Sequence, residues 1–330
     1  MDIEEIYYRA VEVGIINDPR GRENVQLALK AKETEYVTSK CREYDRQYHK
    51  DYKDCKDYFD KQCLTNPYSD TRILYDSGRE PIKKILCAID VDTAEVLLAD
   101  RLNSRMEQPI DLIIAHHPEG TAYAKLYDVM KMQCDLFSRS GVPINVVESI
   151  MDERMKEVER KIMPYNHTKS VDAARLLGIS LMCIHTPADN MVQTYLQRLF
   201  DDKKPYMLDD IIDLLMEIDE YKEGMKNGAG PKIVLGDGNR RAGHIYVDMT
   251  GGTEGHEDIY ETLPLSGINT LVCMHQSEEH RKKAQKYHVN VVIAGHIASD
   301  NLGINLLLDQ IFRGYDIEIM QAAGFRRFVR

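Results

Sequence analysis

Apolar positions in this chain follow two rhythms, short unbroken runs and stripes repeating every three or four residues, and the two alternate along most of its length. The runs are Lys84–Val91 (KILCAIDV), Asp111–Ala115 (DLIIA), Ile144–Val147, Ile179–Ile184, Ile233–Leu235, Thr270–Met274 and Val289–Ala294 (VNVVIA). Runs of this length, bounded by turn formers, predict buried strands. The stripes predict helices over 93–105 (with Asp92 or Thr93 as N-cap), 122–139, 151–162, 168–177, 190–201, 208–220, 278–287 and 299–312. In the last of these Ile304, Leu307, Leu308 and Ile311 form the apolar face. Strands alternating with helices indicate an α/β architecture in layers. Lys226–Pro231 (KNGAGP) is the best break, and the alternation resumes after it. The expected organisation is therefore two similar α/β subdomains, 66–226 and 227–330, behind a helical N-terminal arm, 1–65. Within that arm Val37, Cys41, Tyr44, Tyr48, Cys55 and Phe59 share one helical stripe. It predicts a surface helix packed on the body or on a partner subunit, ending at Asn66-Pro67.

Composition narrows the function classes. With 43% hydrophobic residues in 330, a large core can form. The formal net charge of -11 lacks the basic face that phosphate backbones require, so nucleic acid is not an expected partner. The N-terminal MDIEEIYYRAVEVGIIN has no secretory apolar core, and no apolar run approaches the ~20 residues of a membrane helix. Seven scattered cysteines without a C-x-x-C pair match a reducing compartment, so a cytoplasmic location is expected.

The candidate chemistry lies where strands end. DLIIAHHP, LMCIHTPAD and VVIAGHIASD each close an apolar run with histidine or aspartate, and ligands of α/β sheets collect beyond the carboxyl ends of strands. Imidazole and carboxylate together form the ligand set of Zn, Mn, Fe, Ni or Co. His116 and His117 are adjacent on an extended segment held so by Pro118, which splays them and suits two ions, one each. His296 and Asp300, four apart, reach a common centre, and Asp189 could bridge two ions ~3.5–4 Å apart. Taken singly, each residue has a structural reading as a surface pair, a hydrogen-bonded histidine or a helix-capping acid. It is the shared placement that selects His116, His117, Asp189, His296 and Asp300 as ligands of two divalent ions. Around them Glu119 is a candidate base or supporting acceptor, His185 would orient Asp189, and Asp90 would line the cleft or cap a helix. Gly236–Gly243 reads as a turn in which Arg240 and Arg241 would be the partners of a bound anion. His256, in a glycine-rich loop, is expected to be exposed.

The order HHP, HTPAD and GHIASD resembles the Nif-three-like family, some of whose members carry the label GTP cyclohydrolase 1 type 2. Matching stretches cover about 68–120, 179–200 and 231–312. The resemblance implies two α/β subdomains around a dinuclear metal site held by those five residues, and assembly as a toroidal homohexamer. Asp300 stands where the family usually has Glu, residues 30–65 and 151–170 look like additions, and Tyr68–Leu74 replaces a Gly-Leu-Gln signature. The expected function is metal-dependent hydrolysis of a C–N or phosphoester bond, with a nucleotide among the candidate ligands. The competing class is a metal-binding regulatory protein without turnover.

Overall fold

In β2 (Lys84–Ala88) and β3 (Leu112–Ala115) every residue is buried, and successive side chains enter different cores. Ile85, Cys87, Leu112 and Ile114 face one side, and Leu86, Ala88, Ile113 and Ala115 the other. A strand covered on both faces has no polar side to show, which is why the sequence reads as unbroken apolar runs. The computed structural model describes residues 1–38 and 60–330. Two sheets organise them. The first has the order β1 (Arg72–Tyr75), β4 (Ser180–Cys183), β3, β2, β9 (Glu318–Ala322), and the second β5 (Lys232–Leu235), β8 (Asn290–Ile293), β7 (Thr270–Cys273), β6 (Ile245–Asp248). β1 is antiparallel to β4 and β5 to β8; all other pairings are parallel. Four strands thus repeat the same order and sense in each sheet.

The duplication breaks at one edge. β9, from the stretch expected to build the second half, pairs with β2 and closes the first sheet. The equivalent edge, β6, is covered by a helix instead. Gln193 and Gln197, one turn apart on the helix Thr186–Lys203, exchange hydrogen bonds with Ile245, Val247 and Met249 of the strand backbone, as a neighbouring strand would.

The helix Thr186–Lys203 and the helix His296–Ile311 lie between the sheets, and their apolar residues serve both inner cores. They cross closely because Gly303 has no side chain: a Cβ there would lie 2.4 Å from the Ala188 carbonyl oxygen. The helix Ile3–Ile16 also belongs to this layer, burying Ile3, Ile6, Tyr7, Ala10 and Val11 against the first sheet, so the beginning of the expected arm is core. Outer helices, including Thr93–Asn103 and Lys169–Leu177 on one side and Ile144–Ile162 on the other, cover the remaining faces.

Several expectations need correcting. Ile144–Val147 is helical, not a strand. Val147, Met151, Val158 and Ile162 are buried on one stripe of the helix Ile144–Ile162, so helical periodicity prevails over the β-branched local run. The helix expected over 122–139 is three short segments, and that over 208–220 is two. β1, β6 and β9 are strands that their mixed composition did not announce. Of the tyrosine stripe only the backbone of Val37 is described; Cys41 to Phe59 lie outside the described residues. Among the described residues no helix is long and apolar enough to cross a membrane.

Candidate metal centre

The parallel strands of both sheets direct their carboxyl ends to one place. β3 continues into His116 and His117, β4 through Ile184 into His185, and β8 through Ala294-Gly295 into His296. Gly295 adopts φ +112°, which favours glycine, and lets the chain turn so that His296 is the first residue of its helix. Asp189 stands in the first turn of the helix Thr186–Lys203, and Asp300 one turn beyond His296 in the helix that crosses it.

Their side chains converge. His116 Nε2 lies 3.4 Å from Asp189 Oδ1 and 3.4 Å from Asp300 Oδ1. The second oxygen of Asp300 is 3.5 Å from His117 Nε2 and 3.6 Å from His296 Nε2. Nitrogen and oxygen donors bound at ~2.0–2.1 Å in tetrahedral sites are about 3.4 Å apart, so the spacing suits a shared cation. Among the described residues three overlapping groups could hold a metal ion: His116, Asp189 and Asp300; His117, His296 and Asp300; and His116, His117 and His185. Asp300, not Asp189, is the carboxylate common to two of them. The rings of His116 and His117 are 5.2 Å apart and tilted by 39°, less splayed than a regular strand would make them.

Satisfied hydrogen bonds do not explain the arrangement. His116 Nε2, Asp189 Oδ1 and both Asp300 carboxylate oxygens are buried without a hydrogen-bond partner, a costly state for such groups. The far nitrogens, by contrast, are fixed. His116 Nδ1 donates to the Ile184 carbonyl at 3.2 Å, and His117 Nδ1 is 2.7 Å from Asp90. This is the outer bonding that aims a histidine at a metal. Asp90 therefore supports His117, while the adjacent helix is capped by Asp92.

The electrostatics follow from burial and these neighbours. Burial would raise the Asp300 carboxyl, yet His116, His117 and His296 hold it well below the usual carboxylate range. Burial dominates at Asp189 and raises it. His117 would be lowered by burial, but Asp300 and Asp90 lift it to about 10, whereas burial pushes His296 down to about 4.

A cavity of about 80 Å³ opens beside the cluster, lined by His185, Asp189, His296 and Asp300 and, from the second sheet, Asp248, Glu254 and His275. His275 ends the TLVCM run in the same way as the three recognised motifs, so its signal was present in the sequence. Asp248 closes the short strand β6, which was not visible as a strand. Burial, with Glu254 nearby, raises Asp248 to about 7 from an ordinary 3.8. Its contribution to stability is thus complete below about pH 3.8 and lost as pH rises through about 7. Asp248→Asn should raise the melting temperature of the metal-free protein at about pH 8 and leave it nearly unchanged at about pH 4, as thermal melts at the two values would show.

Other expected residues stand apart. Arg240 and Arg241 are exposed after β5, which runs antiparallel to β8, so their loop lies at the amino ends of the parallel strands, opposite His296. Arg241 stacks over Tyr206 instead. Glu119 accepts a hydrogen bond from Ser170 at 2.7 Å and does not line the cavity. His256 is half-buried and caps a short 3-10 helix.

No family model matches the chain, and no curated protein does. Solved structures do. A NIF3 superfamily protein from Sphaerobacter thermophilus is 24% identical over 78% of this chain and 91% of its own, with a TM-score of 0.67. Reduced HcgD from Methanocaldococcus jannaschii is 15% identical over 73% of this chain and 84% of its own, with a TM-score of 0.41. A Bacillus cereus protein related to NIF3 is 11% identical over 77% and 91%, also at 0.41. The first of these likenesses, with the paired sheets described above, shows that the chain has the NIF3-like fold.

Proposed function

We propose that the protein holds two divalent metal ions, one at His116, Asp189 and Asp300 and the other at His117, His296 and Asp300, and hydrolyses a C–N bond beside them. The observation that carries the reading is the set of four buried donor atoms without partners, spaced as cation ligands are. When bound, such ions act as Lewis acids and lower the pKa of water toward ~7. The chain's own residues would do the rest. Asp90 and the Ile184 carbonyl orient the imidazoles. Asp248, which burial raises to about 7, faces the cavity and in its protonated form can give its proton to a leaving nitrogen. The lining favours C–N over phosphoester substrates: four carboxylates, Asp189, Asp248, Glu254 and Asp300, face the cavity, and no Lys or Arg does among the described residues.

The test is to strip the protein with a chelator, reconstitute it with zinc, manganese or iron, and measure bound metal beside turnover of cyclic amides, nucleobases and phosphoesters. Two ions per chain, with C–N hydrolysis lost on chelation, is the expected result. Two ions without turnover would leave a metal-binding regulatory protein, and less than one ion would overturn the proposal altogether.

A further inference from the structure

His185 is the first residue after the β4 run, at the N-cap of the helix Thr186–Lys203, yet its side chain makes no capping bond. It turns inward, and only 7% of the residue is exposed. Its Nδ1 is 2.8 Å from Asp70 Oδ2, and the same carboxylate oxygen accepts the Thr186 hydroxyl at 2.6 Å. Asp70 is fully buried. It arrives there because β1 is antiparallel to β4, with Arg72 opposite Cys183, so the residues just before β1 lie at the carboxyl end of β4. A buried carboxylate accepting from Thr186 has no proton to offer His185, so the proton between them belongs to Nδ1. Nε2 is left facing the cluster, 3.7 Å from Asp189 Oδ2, too far for a hydrogen bond. Its ring is 4.9 Å from that of His116, and its donor nitrogen groups with those of His116 and His117. Three successive strand-end histidines thus follow one rule: Nδ1 is occupied by a fixed acceptor, and Nε2 points inward.

We infer that His185 is a further metal ligand, oriented by Asp70 through its Nδ1–H, and not merely the support for Asp189 that its place in HTPAD suggests. This rests on the two-ion reading above. With it the site has four imidazoles, His116, His117, His185 and His296, around two carboxylates, a set that favours borderline ions such as zinc, iron or cobalt over magnesium.

The test separates a ligand from a structural histidine. In His185→Asn the side-chain amide can still donate to Asp70 where Nδ1 did, but nothing replaces Nε2. Metal-stripped wild type, His185→Asn and Asp70→Asn are titrated with zinc by calorimetry and with cobalt by visible absorption, and the metal-free proteins are melted. The expected result is that His185→Asn melts like wild type but loses affinity for one of the two ions at least ~10–100-fold, with an altered cobalt spectrum. Asp70→Asn should weaken the same ion by ~10–100-fold. X-ray absorption on zinc-loaded wild type, which needs no variant to fold, should count four imidazoles over two ions. Wild-type zinc affinities and cobalt spectrum in His185→Asn, or three imidazoles by X-ray absorption, would overturn the assignment while leaving the two-ion site standing. Failure of wild type to bind zinc or cobalt would overturn both.

Discussion

Asp300→Asn is expected to release both metal ions, and Asp189→Asn one. The difference follows from the geometry. One oxygen of Asp300 faces His116 and the other faces His117 and His296, whereas Asp189 belongs only to the group with His116. Loss of an outer support costs a metal site ~10–100-fold in affinity, so loss of a carboxylate between two positions should cost each at least about 100-fold. Metal analysis after gel filtration, beside zinc titration, would read both effects. Equal losses in the two variants would contradict a shared Asp300. Without metal, Asp189→Asn should shift stability the other way. Burial raises the Asp189 carboxyl, so its contribution to stability is complete below its ordinary 3.8 and is lost as pH rises through the raised value. At neutral pH the native state therefore carries a cost that asparagine removes. The metal-free variant should be more stable by ~1–3 kcal/mol in denaturant titration, while the zinc-loaded one should be less stable than loaded wild type. A site kept at the expense of the empty fold is what a ligand-binding role predicts.

How much of this was legible in the sequence depended on whether the signal was local. The doubly covered strands were legible because burial on both faces writes itself as an apolar run, and the strand-end histidines because they follow such runs directly. β1 and β9 were not, since short strands of uneven exposure have no period long enough to detect, nor was β6, whose four residues IYVD are mostly buried but form no apolar run. That gap hid chemistry as well as fold. Asp70 reaches the site only through the antiparallel pairing of β1, and Asp248 only because β6 ends beside β7. The position of Arg240 and Arg241 was equally illegible, because the sense of β5 decides at which end of the sheet their loop lies. Local pattern can tell that a strand ends in histidine. It does not tell which other chain ends arrive beside it.

Gly303→Ala should reverse the usual effect of that substitution. In a helix interior alanine ordinarily gains about 1 kcal/mol over glycine, because it restricts the unfolded backbone. Here the added methyl would lie 2.4 Å from the carbonyl oxygen and 2.9 Å from the carbonyl carbon of Ala188. Both are backbone atoms of the partner helix, which cannot rotate aside, so the helices must separate. Overpacking of this kind costs ~1–3 kcal/mol, and the site is placed to feel it. Ala188 precedes Asp189, and Gly303 stands one turn beyond Asp300, so a shift at the crossing moves the two carboxylates that share His116. A drift of a few tenths of an ångström should weaken the ion at that position by about tenfold, equivalent to ~1.4 kcal/mol. The position at His117 and His296, whose ligands include neither Asp189 nor any other residue of the partner helix, should suffer less. Denaturant titration of metal-free protein and a two-site zinc titration would measure both effects. A variant stabilised by the usual increment, with both zinc affinities intact, would show that the crossing does not set the distance between Asp189 and Asp300.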